Sequence, residues 1–197
     1  MSSNIGVMGH PIGHTKSPIF QQAGLNELGI DETFEAWDVL PEDLEAKVAT
    51  FREKGFIAAC VTLPHKQAVI PMVDELTEAA ESVGAVNWIF NRDGKLIGHN
   101  TDCNGFLRAL KEEAGFDPKG ADAVVFGAGG AARAIVYALK TAGVNRLTIA
   151  NRTVEKAQAL ANDFSEGRFK PTATGMSRDE LSNYVPYANL LVNTTSL

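Results

Sequence analysis

A stretch in the second half of the chain has the residue types that bind a phosphate. Residues 124–133 read Val-Val-Phe-Gly-Ala-Gly-Gly-Ala-Ala-Arg, so an apolar run leads into three glycines and then into a helix-forming segment. Gly127 permits a tight turn, Gly129 lets a phosphate approach the backbone, and Ala132 lets the helix pack closely on the strand. The free N–H groups at the start of that helix favour a pyrophosphate. The alternative is a glycine-rich turn that only packs a helix tightly on a sheet.

The end of the next strand indicates which dinucleotide the turn would hold. A site for NAD places Asp or Glu there, to bind the 2′-hydroxyl of the ribose. This chain has Asn151-Arg152-Thr153 instead, with Lys156 one helical turn further on. A guanidinium in place of a carboxylate favours a 2′-phosphate and hence NADP. Because cations oppose the dipole at the start of a helix, we prefer this interpretation to that of a solvated helix start.

Hydride transfer to such a dinucleotide also needs a group that exchanges a proton, and two residues qualify. Lys66 follows a predicted strand, and Asp102 begins a helix after the polar sequence Gly98–Thr101. A lysine and an aspartate that converge in a cleft between two lobes would hold and exchange the proton of a hydroxyl. The alternatives are a surface lysine and a helix N-cap.

Other polar residues have structural interpretations. Ser17, which precedes a proline, is predicted to be a helix N-cap, and Asn87 is a candidate for satisfying strand backbone. His10 and His14 have helical spacing, but the glycine and proline between them argue against a helix and against a metal site. His65 is expected to be structural or exposed rather than catalytic.

Alternating strands and helices are predicted to position these residues. The predicted strands are 5–9, 33–39, 57–63, 85–90, 95–97, 122–126, 146–150, 169–173 and 190–192, and the predicted helices are 18–28, 42–54, 74–83, 102–114, 131–141, 153–163 and 177–184. Strand, glycine turn, helix and strand follow one another within about thirty residues, as a βαβ unit requires. We therefore predict an α/β protein, with an N-terminal α/β substrate domain over residues 1–101 and a partial Rossmann-like NADP-binding domain over residues 102–197.

The composition is that of a soluble globular protein. Of the 197 residues, 45% are hydrophobic and 21% are charged, and the net charge is −6. The lack of a basic stripe argues against nucleic acid as a partner. Without a long apolar run or a signal peptide, we expect no membrane partner and a cytoplasmic location. Cys60 and Cys103 could pair, but two reduced cysteines are the simpler interpretation.

Several pieces of the sequence, taken together, resemble the shikimate dehydrogenase family from residue 5 to residue 196. They are 9–18 (Gly-His-Pro-Ile-Gly-His-Thr-Lys-Ser-Pro), 61–66 (Val-Thr-Leu-Pro-His-Lys), 85–87 (Ala-Val-Asn), 98–102 (Gly-His-Asn-Thr-Asp), 127–131, 151–153 and 193–196 (Asn-Thr-Thr-Ser). Each piece is weak by itself, but their order and spacing make a specific signal. The resemblance implies the reversible reduction of 3-dehydroshikimate to shikimate with NADPH, a step of aromatic amino acid (chorismate) biosynthesis.

The resemblance also implies the roles of individual residues. The lysine that matches Lys66 and the aspartate that matches Asp102 form the catalytic pair of the family. The positions that match substrate contacts are Thr15, Ser17, Thr62, Lys66, Asn87 and Asp102. The positions that match NADP contacts are Gly127, Ala128, Gly129, Gly130, Ala131, Asn151, Arg152, Thr153 and Lys156. No metal is implied.

The chain departs from the family pattern in three respects. The family usually has Ser at the position of Thr15, and the added methyl beside the substrate carboxylate could change affinity or admit quinate. It usually has Asn at the position of Cys60, so one amide is missing near the cleft. Family members also continue past residues 193–196 with further strands, a glutamine that meets substrate and a closing helix.

The shorter length leads to further expectations. We expect sites for the 2′-phosphate and the pyrophosphate, an incomplete site of hydride transfer, and poor or absent turnover. A sheet edge and apolar helix faces would be uncovered and could associate with a second copy of the chain. A homodimer is therefore possible.

The predicted function is that of an NADP-dependent oxidoreductase acting on a CH–OH group of a small-molecule substrate. Two alternatives stay open: a quinate/shikimate dehydrogenase that uses NAD or NADP, and a non-catalytic nucleotide-binding fragment. Methylenetetrahydrofolate dehydrogenases have a related two-domain layout, but the chain shows no match to their substrate motifs.

Overall fold

The computed structural model describes residues 4–195, which form two compact units that divide between Thr101 and Asp102. Each unit contains one β-sheet with helices, which confirms the predicted α/β class. Ser196, the last residue of the family-like piece 193–196, lies outside the described residues, as do residues 1–3.

The first unit is built on a six-stranded mixed sheet. Its elements are β1 (Ile5–Gly9), α1 (Ser17–Glu27), β2 (Phe34–Asp38), α2 (Leu44–Thr50), β3 (Ala58–Val61), β4 (Glu75–Leu76), α3 (Glu78–Val83), β5 (Trp88–Arg92) and β6 (Lys95–His99). The strand order is β2-β1-β3-β5-β6-β4. Strand β1 is parallel to β2 and β3, whereas β5 is antiparallel to β3 and forms the predicted hairpin with β6. The carboxyl ends of β1 and β3 therefore lie at one edge of the sheet.

A large buried cluster of this unit lies between the sheet and α2. Met8, Ile89 and Leu96 of the strands are fully buried against Phe51 and Leu44. Burial of apolar side chains of this size stabilises the fold by roughly 1.5–3 kcal/mol each. This core holds the ends of the central strands in place.

The predicted helix 74–83 is wrong in its first third. Glu75 and Leu76 form the edge strand β4, which pairs with β6. A Cβ built on Gly98 of β6 would lie 2.9 Å from Leu76 Cδ2, so the glycine is what admits Leu76 beside the strand. The helix begins only after Thr77, whose hydroxyl accepts the N–H of Ala80 at 3.4 Å. The predicted helix 42–54 is also shorter, because residues 41–43 form a 3₁₀ turn and α2 ends at residue 50.

The second unit is built on a four-stranded parallel sheet. Its elements are α4 (Asp102–Glu112), β7 (Asp122–Phe126), α5 (Gly130–Ala142), β8 (Arg146–Ala150), α6 (Val154–Phe164), β9 (Thr172–Thr174), α7 (Arg178–Leu181) and β10 (Leu190–Asn193). The strand order β10-β7-β8-β9 is that of the first half of a dinucleotide-binding fold plus the opening strand of the second half. This confirms the predicted partial Rossmann-like domain.

Helices α5 and α6 cover one face of this sheet. Val125 and Ile149 of the strands are fully buried against Val136 and Leu160 of the helices. Helix α5 ends as predicted at Gly143, which has a φ of +80°. Phe126, Ala150 and Thr174 end their strands in register, so the loops that follow all lie at the carboxyl edge.

Some apolar side chains stay accessible to solvent. Ile19 and Phe20 of α1 are 71% and 58% exposed, and Leu191 of the edge strand β10 is 51% exposed. Among residues 4–195, no helix has the length and apolar character needed to cross a bilayer.

Candidate functional site

The predicted glycine turn joins β7 to α5. Gly127 has a φ of +111°, a conformation that favours glycine. Gly129 is the N-cap of α5, and a Cβ built there would meet no heavy atom within 4 Å. Ala132 is fully buried, so the helix does pack closely on the sheet. The first N–H groups of α5 have no partners within the helix and its dipole is positive there, so the turn fits a pyrophosphate.

The carbonyl group that precedes the turn is held by Thr194, which follows β10. Phe126 O accepts hydrogen bonds from Thr194 N at 2.8 Å and from Thr194 Oγ1 at 2.6 Å. A Cβ built on Gly127 would overlap with that same hydroxyl oxygen. Position 127 is therefore restricted to glycine by its φ and by the contact with Thr194.

Two cationic side chains follow β8. Arg152 and Lys156 are both exposed, and neither forms an ion pair with any residue of the range 4–195. The loop is ordered by Asn151, whose N–H donates to Thr174 O at 3.1 Å and whose Nδ2 donates to Thr153 O at 2.8 Å. Both cations are thus available to an anion at the carboxyl edge.

Arg133, in the first turn of α5, has a different role. Its guanidinium donates to the carboxylate of Asp163 at 2.6 Å and lies 5.3 Å from the ring centre of Phe164. These contacts tie α5 to α6. The cation of Arg133 therefore contributes to helix packing.

The polar loops after β1 and β3 lie together at one edge of the first sheet. His10 N donates to Leu63 O at 3.0 Å, and Thr62 N donates to Met8 O at 2.9 Å. A Cβ built on Gly9 would lie 2.5 Å from Thr62 Cγ2, so this close approach requires glycine. The predicted substrate residue Thr62 is thereby held beside the end of β1.

Thr15 and Ser17 lie at the start of α1. Thr15 Oγ1 donates to Ser17 Oγ at 3.2 Å and accepts the N–H of Ser17 at 3.2 Å. The prediction that Ser17 is the N-cap is wrong: the N-cap is Lys16, and Ser17 is the first helical residue. The helix begins one residue earlier than the Ser-Pro signal indicates. Two hydroxyl groups beside a helix N-terminus suit a carboxylate.

Lys66 is half-buried and has a fixed backbone. Its carbonyl accepts the N–H of Val86 at 2.7 Å. The preceding residue, His65, is 1% exposed, and its Nε2 lies 2.7 Å from Val39 O. His65 is structural, as expected, and it anchors the loop that carries the lysine.

Asn87 is buried just before β5. Its Nδ2 donates to Thr101 Oγ1 at 2.8 Å, and its Oδ1 accepts the N–H of Thr101 at 2.9 Å. The backbone is held as well, because Asn87 N donates to His99 O and Asn87 O accepts from Val61 N. The side chain of Asn87 thus accepts the backbone N–H of Thr101, which agrees with the structural interpretation of this residue. Its amide has a defined orientation.

Asp102 is the first residue of α4 in the second unit and is half-buried. Burial, together with the negative charge of Asp102, raises the pKa of the neighbouring Cys103 thiol. Cys60 and Cys103 are both free thiols. Within the described residues, no three His, Cys, Asp or Glu side chains are grouped so that they could hold a metal ion.

Two residues that hydrogen-bond to the predicted site residue Asn87 or to Phe126, the residue before Gly127, have no role assigned from the sequence. Thr101 and Thr194 both lie in the pieces that carry the family resemblance. The signal that could have identified them is their place directly after a strand: the Thr101 hydroxyl accepts from the side chain of Asn87, and the Thr194 hydroxyl donates to the backbone carbonyl of Phe126. Their partners are distant in sequence, and the pairing emerges only from the fold.

Two family models match the chain, one in each unit. Residues 7–89 match the shikimate dehydrogenase substrate binding domain, and residues 109–196 match the shikimate/quinate 5-dehydrogenase family. The NADP+-dependent shikimate dehydrogenase of Methanopyrus kandleri is 45% identical over 97% of this chain and 66% of its own length. That of Geobacillus kaustophilus is 38% identical over 100% of this chain and 70% of its own length. The chain therefore spans about two thirds of the length of the curated relatives that it matches.

Solved structures with the same fold agree with these matches. The crystal structure of shikimate dehydrogenase from Aquifex aeolicus has a TM-score of 0.86 and 34% identity, and the match covers 98% of this chain and 68% of the Aquifex chain. The shikimate 5-dehydrogenase of Thermus thermophilus, solved in complex with NADP(H) and shikimate, has a TM-score of 0.80 and 37% identity, and the match covers 97% of this chain and 67% of the Thermus chain.

Proposed function

The chain belongs to the shikimate dehydrogenase family, and we propose that it is an NADP-dependent oxidoreductase that interconverts 3-dehydroshikimate and shikimate. The observation that carries the proposal is a glycine turn open at Gly129, followed at the end of β8 by Arg152 and Lys156. The names of the relatives and the ligands of the Thermus thermophilus structure support the choice of substrate and cofactor.

The second unit would hold NADP at the carboxyl edge of its sheet. The turn Gly127–Ala131 would bind the pyrophosphate through backbone N–H groups, and the loop Asn151–Thr153 with Lys156 would bind the 2′-phosphate. When bound, NADP supplies or accepts the hydride. A guanidinium and an ammonium at this loop favour the phosphate over a free 2′-hydroxyl, because no carboxylate of residues 151–153 competes for them.

Lys66 would exchange the proton of the reacting hydroxyl. In oxidation of shikimate, the carbon loses a hydride and the hydroxyl loses its proton to the amine, which leaves a carbonyl group; reduction reverses both transfers. The buried anchor at His65 and the bond from Val86 N to Lys66 O support this role, because they hold the lysine backbone in one position. Asp102 would orient hydroxyl groups of the same substrate.

The remaining polar side chains of the first unit would orient the substrate. The paired hydroxyls of Thr15 and Ser17 would bind its carboxylate, and Thr62 and Asn87 would bind its hydroxyl groups. Quinate is a second candidate substrate, because Thr15 carries a methyl group where the family usually has serine. We also propose that the reaction serves aromatic amino acid biosynthesis in the cytoplasm, which is compatible with two free thiols.

The experiment is a steady-state assay of the 197-residue chain with shikimate or quinate and with NADP+ or NAD+, followed by the absorbance of the reduced nicotinamide. We expect slow turnover, and among the four combinations of substrate and cofactor the highest rate with shikimate and NADP+. Equal rates with quinate or with NAD+ would favour the quinate/shikimate alternative. Tight NADP+ binding without turnover of either substrate would favour the non-catalytic nucleotide-binding alternative.

A further inference from the structure

The peptide unit between Phe126 and Gly127 is held at both of its polar groups. Its carbonyl accepts two hydrogen bonds from Thr194, at 2.8 Å from N and 2.6 Å from Oγ1. Its N–H donates to Ala150 O at 2.8 Å. Because a peptide unit is planar, bonds on both sides leave it little freedom to rotate. This plane sets the direction in which the glycine turn leaves the strand.

Thr194 follows the neighbouring strand β10 and contacts the glycine turn from that side. Its hydroxyl oxygen occupies the space that a side chain at position 127 would need, and Thr195 Cγ2 would lie 3.4 Å from such a Cβ. At Gly129, on the side where a phosphate would approach, a Cβ would meet no heavy atom within 4 Å. Thr194 thus supports the turn without filling the space for the ligand.

We propose that Thr194 is a positioning residue for the pyrophosphate site, and that its hydroxyl sets the direction of the N–H groups in the turn. The inference rests on the proposed NADP site. Every residue except proline would supply the backbone N–H that donates to Phe126 O. The second hydrogen bond to this carbonyl requires the hydroxyl of the Thr194 side chain.

The substitution Thr194→Val isolates the hydroxyl. Valine has the branched shape of threonine but lacks the donor, while Thr194→Ser keeps the donor and removes only a methyl group. Phe126 O would still accept the N–H of residue 194 in either variant, so no buried acceptor is left without a partner. The matched control is Thr172→Val, the same change at an exposed position of β9.

The experiment measures binding of two ligands by titration calorimetry with the 197-residue chain and each variant. NADP+ carries the pyrophosphate, whereas adenosine 2′-monophosphate reaches only the 2′-phosphate and adenine sites. We expect Thr194→Val to weaken NADP+ binding about fivefold, which corresponds to about 1 kcal/mol, and to leave adenosine 2′-monophosphate binding unchanged. Thr194→Ser and Thr172→Val should bind both ligands within about twofold of the parent chain.

The outcomes separate this inference from the proposed function. If the parent chain binds neither ligand, the NADP site itself is wrong. If it binds NADP+ and Thr194→Val binds equally well, or loses both ligands to the same degree, the positioning role is refuted. Failure of Thr194→Ser to restore NADP+ binding would likewise exclude the hydroxyl as the cause. Melting temperatures of all variants identify any that do not fold; if Thr194→Val is one of them, Thr194→Ala, which also lacks the hydroxyl, takes its place and should show the same loss.

Discussion

The side-chain amide of Asn87 and the residue Thr101 form two reciprocal hydrogen bonds. Asn87 Nδ2 donates to Thr101 Oγ1 at 2.8 Å, and Thr101 N donates to Asn87 Oδ1 at 2.9 Å. The pair fixes which end of the amide is the donor and which is the acceptor at a proposed substrate residue. Asn87 is 8% exposed, so this orientation is protected from exchange with water.

We predict that Thr101→Val weakens shikimate binding about fivefold, the effect of one hydrogen bond worth about 1 kcal/mol. Valine keeps the backbone N–H that donates to Asn87 Oδ1 but removes the acceptor for Asn87 Nδ2, so one of the two bonds that orient the amide is lost. The measurement is calorimetric titration with shikimate in the absence of NADP+, so that no turnover occurs. Thr101→Ser is the control and should bind like the parent chain; unchanged affinity in Thr101→Val would show that Thr101 does not orient Asn87.

Replacement of Lys66 by alanine should lower kcat for shikimate oxidation by about 10²–10⁴-fold, with a smaller change in KM. The reason is that the amine is proposed to exchange the proton of the reacting hydroxyl. The exposed lysine Lys54 provides the control, and Lys54→Ala should leave both constants unchanged. A Lys66→Ala variant that loses substrate binding but keeps its kcat would assign the lysine to recognition instead.

Replacement of Arg152 by alanine should weaken NADP+ binding about tenfold or more and affect NAD+ binding much less. The guanidinium is proposed to contact the 2′-phosphate, and a hydrogen bond to a charged group is worth about 1.5–3 kcal/mol. Titration with both dinucleotides gives the ratio of affinities. Arg108→Ala on the exposed face of α4 is the control, and an unchanged ratio in Arg152→Ala would remove Arg152 from the phosphate site.

Alanine at Gly127 and alanine at Gly129 should have different effects. Gly127→Ala should lower both the melting temperature and the affinity for NADP+, because of the positive φ and the overlap with Thr194 Oγ1. Gly129→Ala should lower the affinity and change the melting temperature little, because its φ of −92° suits alanine and its surroundings are open. Calorimetric titration and thermal unfolding of both variants test the pair. Undiminished NADP+ binding by Gly129→Ala would contradict the proposed approach of a pyrophosphate.

The ion pair of Asp122 should make stability depend on pH in the acid range. Hydrogen bonds from Arg146 and Asn145 hold the pKa of Asp122 below its usual value. The pair therefore stabilises the fold above the unfolded-state pKa of about 3.9, and this contribution is lost as the pH falls through the lower folded-state pKa. Asp122→Asn should reduce the melting temperature at about pH 7, and the difference from the parent chain should shrink towards about pH 2.

The exposed Asp31 provides the control for this prediction, since Asp31→Asn removes a carboxylate at the surface of the other unit. Thermal unfolding followed by circular dichroism at each pH gives the differences. A difference between Asp122→Asn and the parent chain that stays constant from neutral to acid pH would show that the ion pair does not stabilise the fold.

The βαβ unit of the second half can be predicted from the sequence because its signals are local. The predicted strands 122–126 and 146–150 have the bounds that the structure shows, since each is a short apolar run between turn residues. Gly143 ends α5 in the left-handed conformation that a glycine after a helix indicates. The glycines after β7 and the cationic residues after β8 then suffice to predict a dinucleotide site.

The errors of prediction arise where pairing over long distances decides the structure. Residues 75–76 have a helical pattern, but they pair with β6 about twenty residues further on and form a strand. No periodicity in the sequence indicates such contacts.

The sequence by itself determined the types and order of the chemical groups, from the polar loops of the first unit to the glycine turn and the cations of the second. Only the tertiary structure decided which residues hold them in place. Buried His65 is hydrogen-bonded to Val39 O, and Thr194 donates to the carbonyl of Phe126, which lies 68 residues before it in the sequence. The physical reason is that these supports are hydrogen bonds and close approaches between segments that neighbour each other only after the sheets have formed.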